Sequence, residues 1–208
     1  MGAGAVGKTT VLNELKEYFK EINMNVYDER DFLGGKFIAY MKDMKLNSYE
    51  MQKLFFIERY KQIVKMQFDN FSIIDRHLID DVIFPEVHIN LNNFNPSQKN
   101  KWIKFEKKYL RKLETKPKLD ILFVLRANYE EIKQRRNKRS EIDEERKSEA
   151  DPKNDEFFKQ VNQIYFDENL KWMFLANKFA KEIIIFDNQS KEDVKTKIKE
   201  RINQAIKE

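Results

Sequence analysis

The sequence predicts an α/β fold around a mainly parallel sheet, and three observations carry that prediction. Short apolar runs rich in Ile, Val and Phe recur along the chain, longer charged segments of helical period separate them, and a glycine-rich loop opens the first helix. Apolar residues make up 41% of the 208 residues, which suits a single domain over residues 1–208 with a sizeable core.

The first element is the loop Gly2–Thr9, GAGAVGKT, which satisfies G-x-x-x-x-G-K-[ST]. This P-loop pattern has a physical reason. Glycines let backbone N–H groups turn inward around phosphate oxygens, and Lys8 adds a positive charge. Thr9 offers a hydroxyl to Mg²⁺, and the next helix presents its positive end. Gly2, Gly4, Ala5, Val6, Gly7, Lys8, Thr9 and Thr10 are therefore the expected ATP phosphate-binding residues. The helix at 8–22 places Val11, Leu15, Tyr18, Phe19 and Ile22 on one apolar stripe. A strand is expected before such a loop, in the middle of the sheet, yet Met1 stands directly before Gly2. The expectation is that a segment of about five to eight residues once preceded Met1.

Further strands are expected at Asn25–Asp28, Phe71–Asp75, Ile121–Leu125 and Ile183–Phe186, giving a sheet of about five strands with helices on both faces. Further helices are expected at about 47–68, 97–115, 128–139, 155–179 and 191–207. The most charged stretch runs from Arg135 to Lys153. It reads either as an exposed helix end with a loop, or as a mobile lid at about 133–155 that brings arginines onto phosphates.

Composition excludes several classes. The chain has no cysteine, so disulfides and thiolate metal sites are ruled out, and two histidines rule against a histidine-rich metal centre. No apolar run reaches the ~18–20 residues of a membrane span, and no signal-peptide pattern opens the chain. A soluble, cytoplasmic protein with no membrane partner is expected. The 40 Lys and Arg are interspersed with 35 Asp and Glu, a pattern of solvated helix faces rather than of a nucleic-acid-binding stripe.

Two strand ends carry chemistry. Open α/β sheets bind ligands at the C-terminal edge of their strands. There the strand at 71–75 delivers Asp75 and Arg76, a carboxylate for Mg²⁺ and a guanidinium for the transferring group. A helix-start Asp with a surface Arg is the alternative. The strand at 25–28 ends beside Glu29, a candidate general base for an attacking hydroxyl.

From Gly2 onward the chain resembles the deoxynucleoside kinases, most closely the bacterial deoxyadenosine/deoxyguanosine kinases. The resemblance rests on SYEMQKLFFIERYKQI at 48–63 and IIDRHLIDDVIF at 73–84, with weaker support from 117–136 and 157–172. It implies ATP-dependent phosphorylation of a deoxynucleoside 5′-hydroxyl. It implies Glu29 as the base, Arg76 and Lys8 at the transferring phosphoryl group, and Asp75 with Thr9 at the metal. Gln52 is implied to read the base edge, with Arg59 and Asp81 as a base-reading ion pair that favours purine or cytosine over thymidine. Tyr40 is implied at the sugar 3′-hydroxyl, Arg135 and Arg139 over the ATP phosphates, and a homodimer as the assembly.

The physics of the residues agrees. Gln52 and Arg59 are two helical turns apart and share a face. A base in an apolar cleft needs a few fixed polar partners. Phe32, Phe37, Phe55, Phe56 and Phe84 are candidates for the clamp. The chain also departs from the family pattern. Glu141 replaces a third lid arginine, for which Arg136 or Arg146 are possible substitutes, and His77 replaces a small serine. Asp143 or Glu144 stand near the family's 3′-hydroxyl carboxylate. Two alternatives remain at the level of sequence: a thymidylate-kinase-like nucleoside monophosphate kinase, and a non-catalytic nucleotide-binding protein.

Overall fold

The computed structural model describes residues 1–27, 40, 43–66, 71–142, 147, 149–167 and 171–208. The fold is mixed α/β and mostly helical. The phosphate loop leads into α1 (Lys8–Glu14) and α2 (Lys16–Glu21), which are separated only by Leu15. Hydrogen bonds from Leu15 N–H to Val11 and from Phe19 N–H to Leu15 carry the ladder across the break. The long helix α3 (Met44–Lys65) starts where the Asp43 side chain accepts from Leu46 N–H at 2.8 Å.

The descent from β2 (Ser72–Ile74) passes through a turn and a short 3₁₀ segment (Asp80–Val82) into α4 (Ile83–Asn90). Helix α4 is not among the helices expected from the sequence. Its Pro85 stands in the first turn, where no intrahelical donor is lost. Helix α5 (Pro96–Leu113) opens on a capping box between Asn95 and Gln98 with Pro96 at its first position. After β3 (Leu119–Arg126) come α6 (Tyr129–Ile142), a 3₁₀ turn, α7 (Asp155–Phe166) and α8 (Lys171–Phe179). The expected single helix at 155–179 is thus two helices. Strand β4 (Ala180–Asp187) and α9 (Lys191–Lys207) close the chain.

All described strand pairing is parallel. β1 (Asn25–Tyr27) pairs with β2, and β3 pairs with β4 from Leu119↔Ala180 to Arg126↔Asp187. Where about five strands were expected, the described residues form four, in two pairs. Met1 lies along β3 on the side away from β4. Its ammonium donates to Phe123 O at 2.6 Å, and its carbonyl accepts from Leu125 N–H at 2.9 Å. A cavity of about 360 Å³ separates β2 from β3, lined by Met1, Leu12, Phe19, Ile73, Ile121 and Phe123 among others.

An aromatic cluster joins α3 to α5. Phe56 meets Trp102, Phe105 and Tyr109 edge-on at 5.5, 5.6 and 5.9 Å. Each such contact adds about 0.5–1.5 kcal/mol beyond area burial. The cluster fixes the helix that carries Gln52 and Arg59. No described helix is long and apolar enough to cross a membrane.

Candidate active site

The phosphate loop is shaped by backbone that few side chains could adopt. Gly2 sits at φ 141°, and a Cβ there would lie 2.3 Å from Leu125 O, so glycine is required for the close approach to β3. Gly7 at φ 106° makes the turn into α1. Lys8 Nζ folds back over the loop, donating to Gly2 O at 2.7 Å and Ala3 O at 2.8 Å. The Thr9 hydroxyl donates to Asp75 Oδ2 at 3.5 Å, which brings together the two oxygens expected at Mg²⁺.

A cavity of about 790 Å³ opens over this loop. Its walls include Gly4, Ala5, Val6, Gly7, Lys8, Thr9 and Thr10 from the loop, with Arg76, Asp81, Gln52 and Tyr40 from the acceptor side. Arg135 and Arg139 reach it from α6, and Phe55 and Phe84 also line it. Of the expected site residues that are described, Gly2, Arg59 and Asp75 stand behind the wall. Phe56 belongs to the α3–α5 core, which removes it from the clamp. Glu29, Phe32, Phe37, Asp143, Glu144 and Arg146 lie outside the described residues.

Behind the wall the polar groups are tied together. Arg59 is fully buried; its Nε meets Asp81 Oδ2 at 3.4 Å and its Nη1 donates to Asp75 O at 2.9 Å. Gln52 Nε2 donates to the Tyr40 hydroxyl at 3.3 Å, which lies 2.8 Å from His88 Nε2. The Asn93 amide nitrogen is 3.0 Å from His88 Nδ1. With that amide as donor, Nδ1 accepts, and Nε2 carries the proton given to Tyr40. His88 stacks on Phe157 at 4.4 Å, and burial lowers its pKa to about 3, so it is neutral. Burial likewise raises the Tyr40 hydroxyl, keeping it protonated.

Arg76 occupies the left-handed region at φ 70° and lies over the Phe84 ring at 5.1 Å. The turn that holds it is closed by Asp80, a fully buried carboxylate. Asp80 Oδ2 accepts from His77 N–H at 3.2 Å, and Oδ1 accepts from Gly2 N–H at 3.4 Å and from the Tyr165 hydroxyl. Burial alone would raise the Asp80 carboxyl. The Met1 ammonium, Arg76, Lys8 and the Tyr165 hydroxyl outweigh that and hold it below the usual range. His77 is buried with a pKa near 3, so it fills space in the turn as a neutral ring, and Ile79 N–H donates to its Nδ1.

From α6, Arg135 donates to Val6 O at 3.0 Å and pairs with Glu131. Arg139 pairs with Glu149, a buried acid that lines the cavity. Arg136 points the other way, pairing with Asp155 at 2.6 Å over the Phe158 ring, so it does not replace the third lid arginine.

Asp80, His88, Glu149 and Phe157 were not foreseen. A signal existed for the first two, which stand with Asp81 and Glu86 as the charged or titratable residues of the largely apolar run 78–89. Glu149 carries no such signal, being one acid among many in a charged stretch.

A phosphate loop, a strand-end arginine and two arginines of α6 around one cavity define a nucleotide-dependent phosphotransferase. The deoxynucleoside kinase family profile matches residues 1–207, and the chain belongs to that family. It is accordingly an enzyme of the ATP-using class that transfers a phosphoryl group to an alcohol acceptor. The fold is similar to deoxyadenosine kinase from M. mycoides in three solved structures. The one with dCMP and a flexible dCDP bound has TM-score 0.74 and 22% identity, over 99% of this chain and 97% of that one. The one with dATP bound has TM-score 0.74 and 23% identity, over 98% and 97%. The one with dCTP bound has TM-score 0.72 and 25% identity, over 100% and 97%. No curated protein is similar enough in sequence to match the chain.

Proposed function

We propose that this enzyme transfers the γ-phosphoryl group of ATP to the 5′-hydroxyl of a deoxynucleoside, with a purine or cytosine base favoured over thymidine. The products are a deoxynucleoside 5′-monophosphate and ADP. The observation that supports this reading is the single cavity in which Lys8 and the loop amides share walls with Arg76, Gln52 and Asp81. Its volume, about 790 Å³, is in the range of small-ligand sites.

In the proposed step the acceptor 5′-oxygen attacks the γ-phosphorus, the bond to the ADP oxygen breaks, and Glu29 takes the hydroxyl proton. Lys8 and the loop N–H groups hold the phosphates, Arg76 meets the charge that develops on the transferring group, and Arg135 and Arg139 close over it. Thr9 and Asp75 offer the hard oxygen donors that Mg²⁺ prefers, and such sites draw their other ligands from phosphate and water. An Mg²⁺ ion held by Thr9 and Asp75 would supply positive charge to the triphosphate.

Gln52 and the Arg59–Asp81 pair read the base, and Tyr40, fixed by His88, meets the sugar. The solved M. mycoides structures carry adenine and cytosine nucleotides, in line with that preference. A nucleoside monophosphate acceptor would call for more cations than the described residues of this wall offer. We also propose a homodimer, on resemblance alone, and a cytoplasmic location. A parallel sheet of about five strands is proposed too.

The test of function is ADP release with each deoxynucleoside and then with each monophosphate. Turnover with deoxyadenosine, deoxyguanosine or deoxycytidine is expected, and turnover with monophosphates alone contradicts the proposal. Glu29→Gln is expected to abolish turnover and leave ATP binding within about threefold, since a base acts only on the attacking hydroxyl.

A further inference from the structure

We propose that Asp80 is a positioning residue that locks the phosphate loop to the turn carrying Arg76, with the Tyr165 hydroxyl closing the lock. This rests on the phosphoryl-transfer reading above and adds to it a residue that touches neither nucleotide nor acceptor.

The geometry joins three elements through one carboxylate. Gly2 N–H, at the entrance of the phosphate loop, meets Oδ1 at 3.4 Å; His77 N–H, directly after Arg76, meets Oδ2 at 3.2 Å. The Tyr165 hydroxyl of α7 also donates to Oδ1. Asp80 and Tyr165 are both fully buried, so water does not compete for these bonds. The loop entrance has no slack, because Gly2 is pressed against Leu125 O. The turn has none either: Asp80 N–H donates back to His77 O at 2.8 Å, and Arg76 sits at φ 70°, a conformation that must be held by its surroundings.

The carboxylate thus sets the separation between the donor phosphates and Arg76, a distance on which in-line transfer depends. Its negative charge also stands beside Lys8 and Arg76. Neutralising it removes an anion from two cations that face phosphate, so ATP should bind no more weakly while transfer slows. A role confined to folding gives the opposite pattern, with weaker binding of both substrates and a lower melting temperature.

The experiment compares the parent with Asp80→Asn, Tyr165→Phe and the double variant. Asp80→Asn keeps the shape and one acceptor oxygen, and is expected to lower kcat about tenfold or more with KM for ATP unchanged or lower. Tyr165→Phe is expected to lower kcat about threefold, with a melting temperature within a few degrees of the parent. The double variant is expected to match Asp80→Asn, because Tyr165 acts through that carboxylate. Unchanged kcat in either folded single variant, or effects that multiply in the double, would overturn the proposal. If Asp80→Asn does not fold, Tyr165→Phe alone decides it. Calorimetric titration with ATP gives a readout independent of the acceptor: Asp80→Asn is expected to bind within about threefold of the parent, and binding more than about tenfold weaker overturns the lock. A parent enzyme that phosphorylates no deoxynucleoside would instead refute the proposed function, and the titration still reads the lock.

Discussion

Replacing Asp81 by Asn probes how the proposed base-reading side of the cavity is built. Asp81 and Arg59 are both buried, with Nε and Oδ2 3.4 Å apart. At an effective dielectric near 20 the Coulomb attraction at that separation is about 5 kcal/mol. Desolvation of both ions offsets much of it, so the pair adds little net stability, but removing one partner strands the other. Loss of one member of such a pair costs about 3–5 kcal/mol. For a chain of this length that corresponds to a melting temperature lower by roughly 10 °C. Urea unfolding of Asp81→Asn, Arg59→Met and the double variant Arg59→Met/Asp81→Leu forms the assay. Each single variant is expected to lose about 3 kcal/mol or more, and the double, with neither ion of the pair left, to recover most of it. A single variant that loses less than about 1 kcal/mol refutes the reasoning, because a buried ion without its partner cannot be that cheap.

Two further predictions concern charge. Burial lowers His88 to about 3, so between pH 6 and pH 4 the unfolded chain binds a proton there that the folded chain does not. Stability should therefore fall with falling pH by about 1.4 kcal/mol per unit from this residue, and His88→Gln should remove that part of the slope; an unchanged slope refutes it. Glu149 pairs with Arg139 inside the cavity, so Glu149→Gln should lower KM for ATP about threefold, while Arg139→Ala raises it about tenfold. A higher KM for ATP in Glu149→Gln contradicts the lid assignment.

Much of the site was legible because its signals are local. The loop Gly2–Thr9 states its conformation in its glycines, and all of its residues but Gly2 and Ala3 line the cavity. Asp75 and Arg76 follow the three-residue strand Ser72–Ile74, and position at the strand end fixes where they emerge. Gln52 and Arg59 follow from helical spacing. What escaped depends on contacts between distant segments. The tie from Asp80 to Gly2 spans 78 residues and that to Tyr165 spans 85, and no periodicity reports either. Helix α4 is short, and the effect of its Pro85 depends on position within a turn. The division of the strands into two pairs is likewise a matter of long-range pairing.

The central claim is that donor phosphates and a neutral sugar alcohol meet in one cavity, between Lys8 and Arg76. Incubation with ATP labelled at the γ-phosphorus and either deoxyadenosine or deoxycytidine, followed by separation of the products, tests it most directly. The account predicts label in the 5′-monophosphate, in step with ADP formed. Label found only in inorganic phosphate, or only in a diphosphate made from added monophosphate, contradicts it.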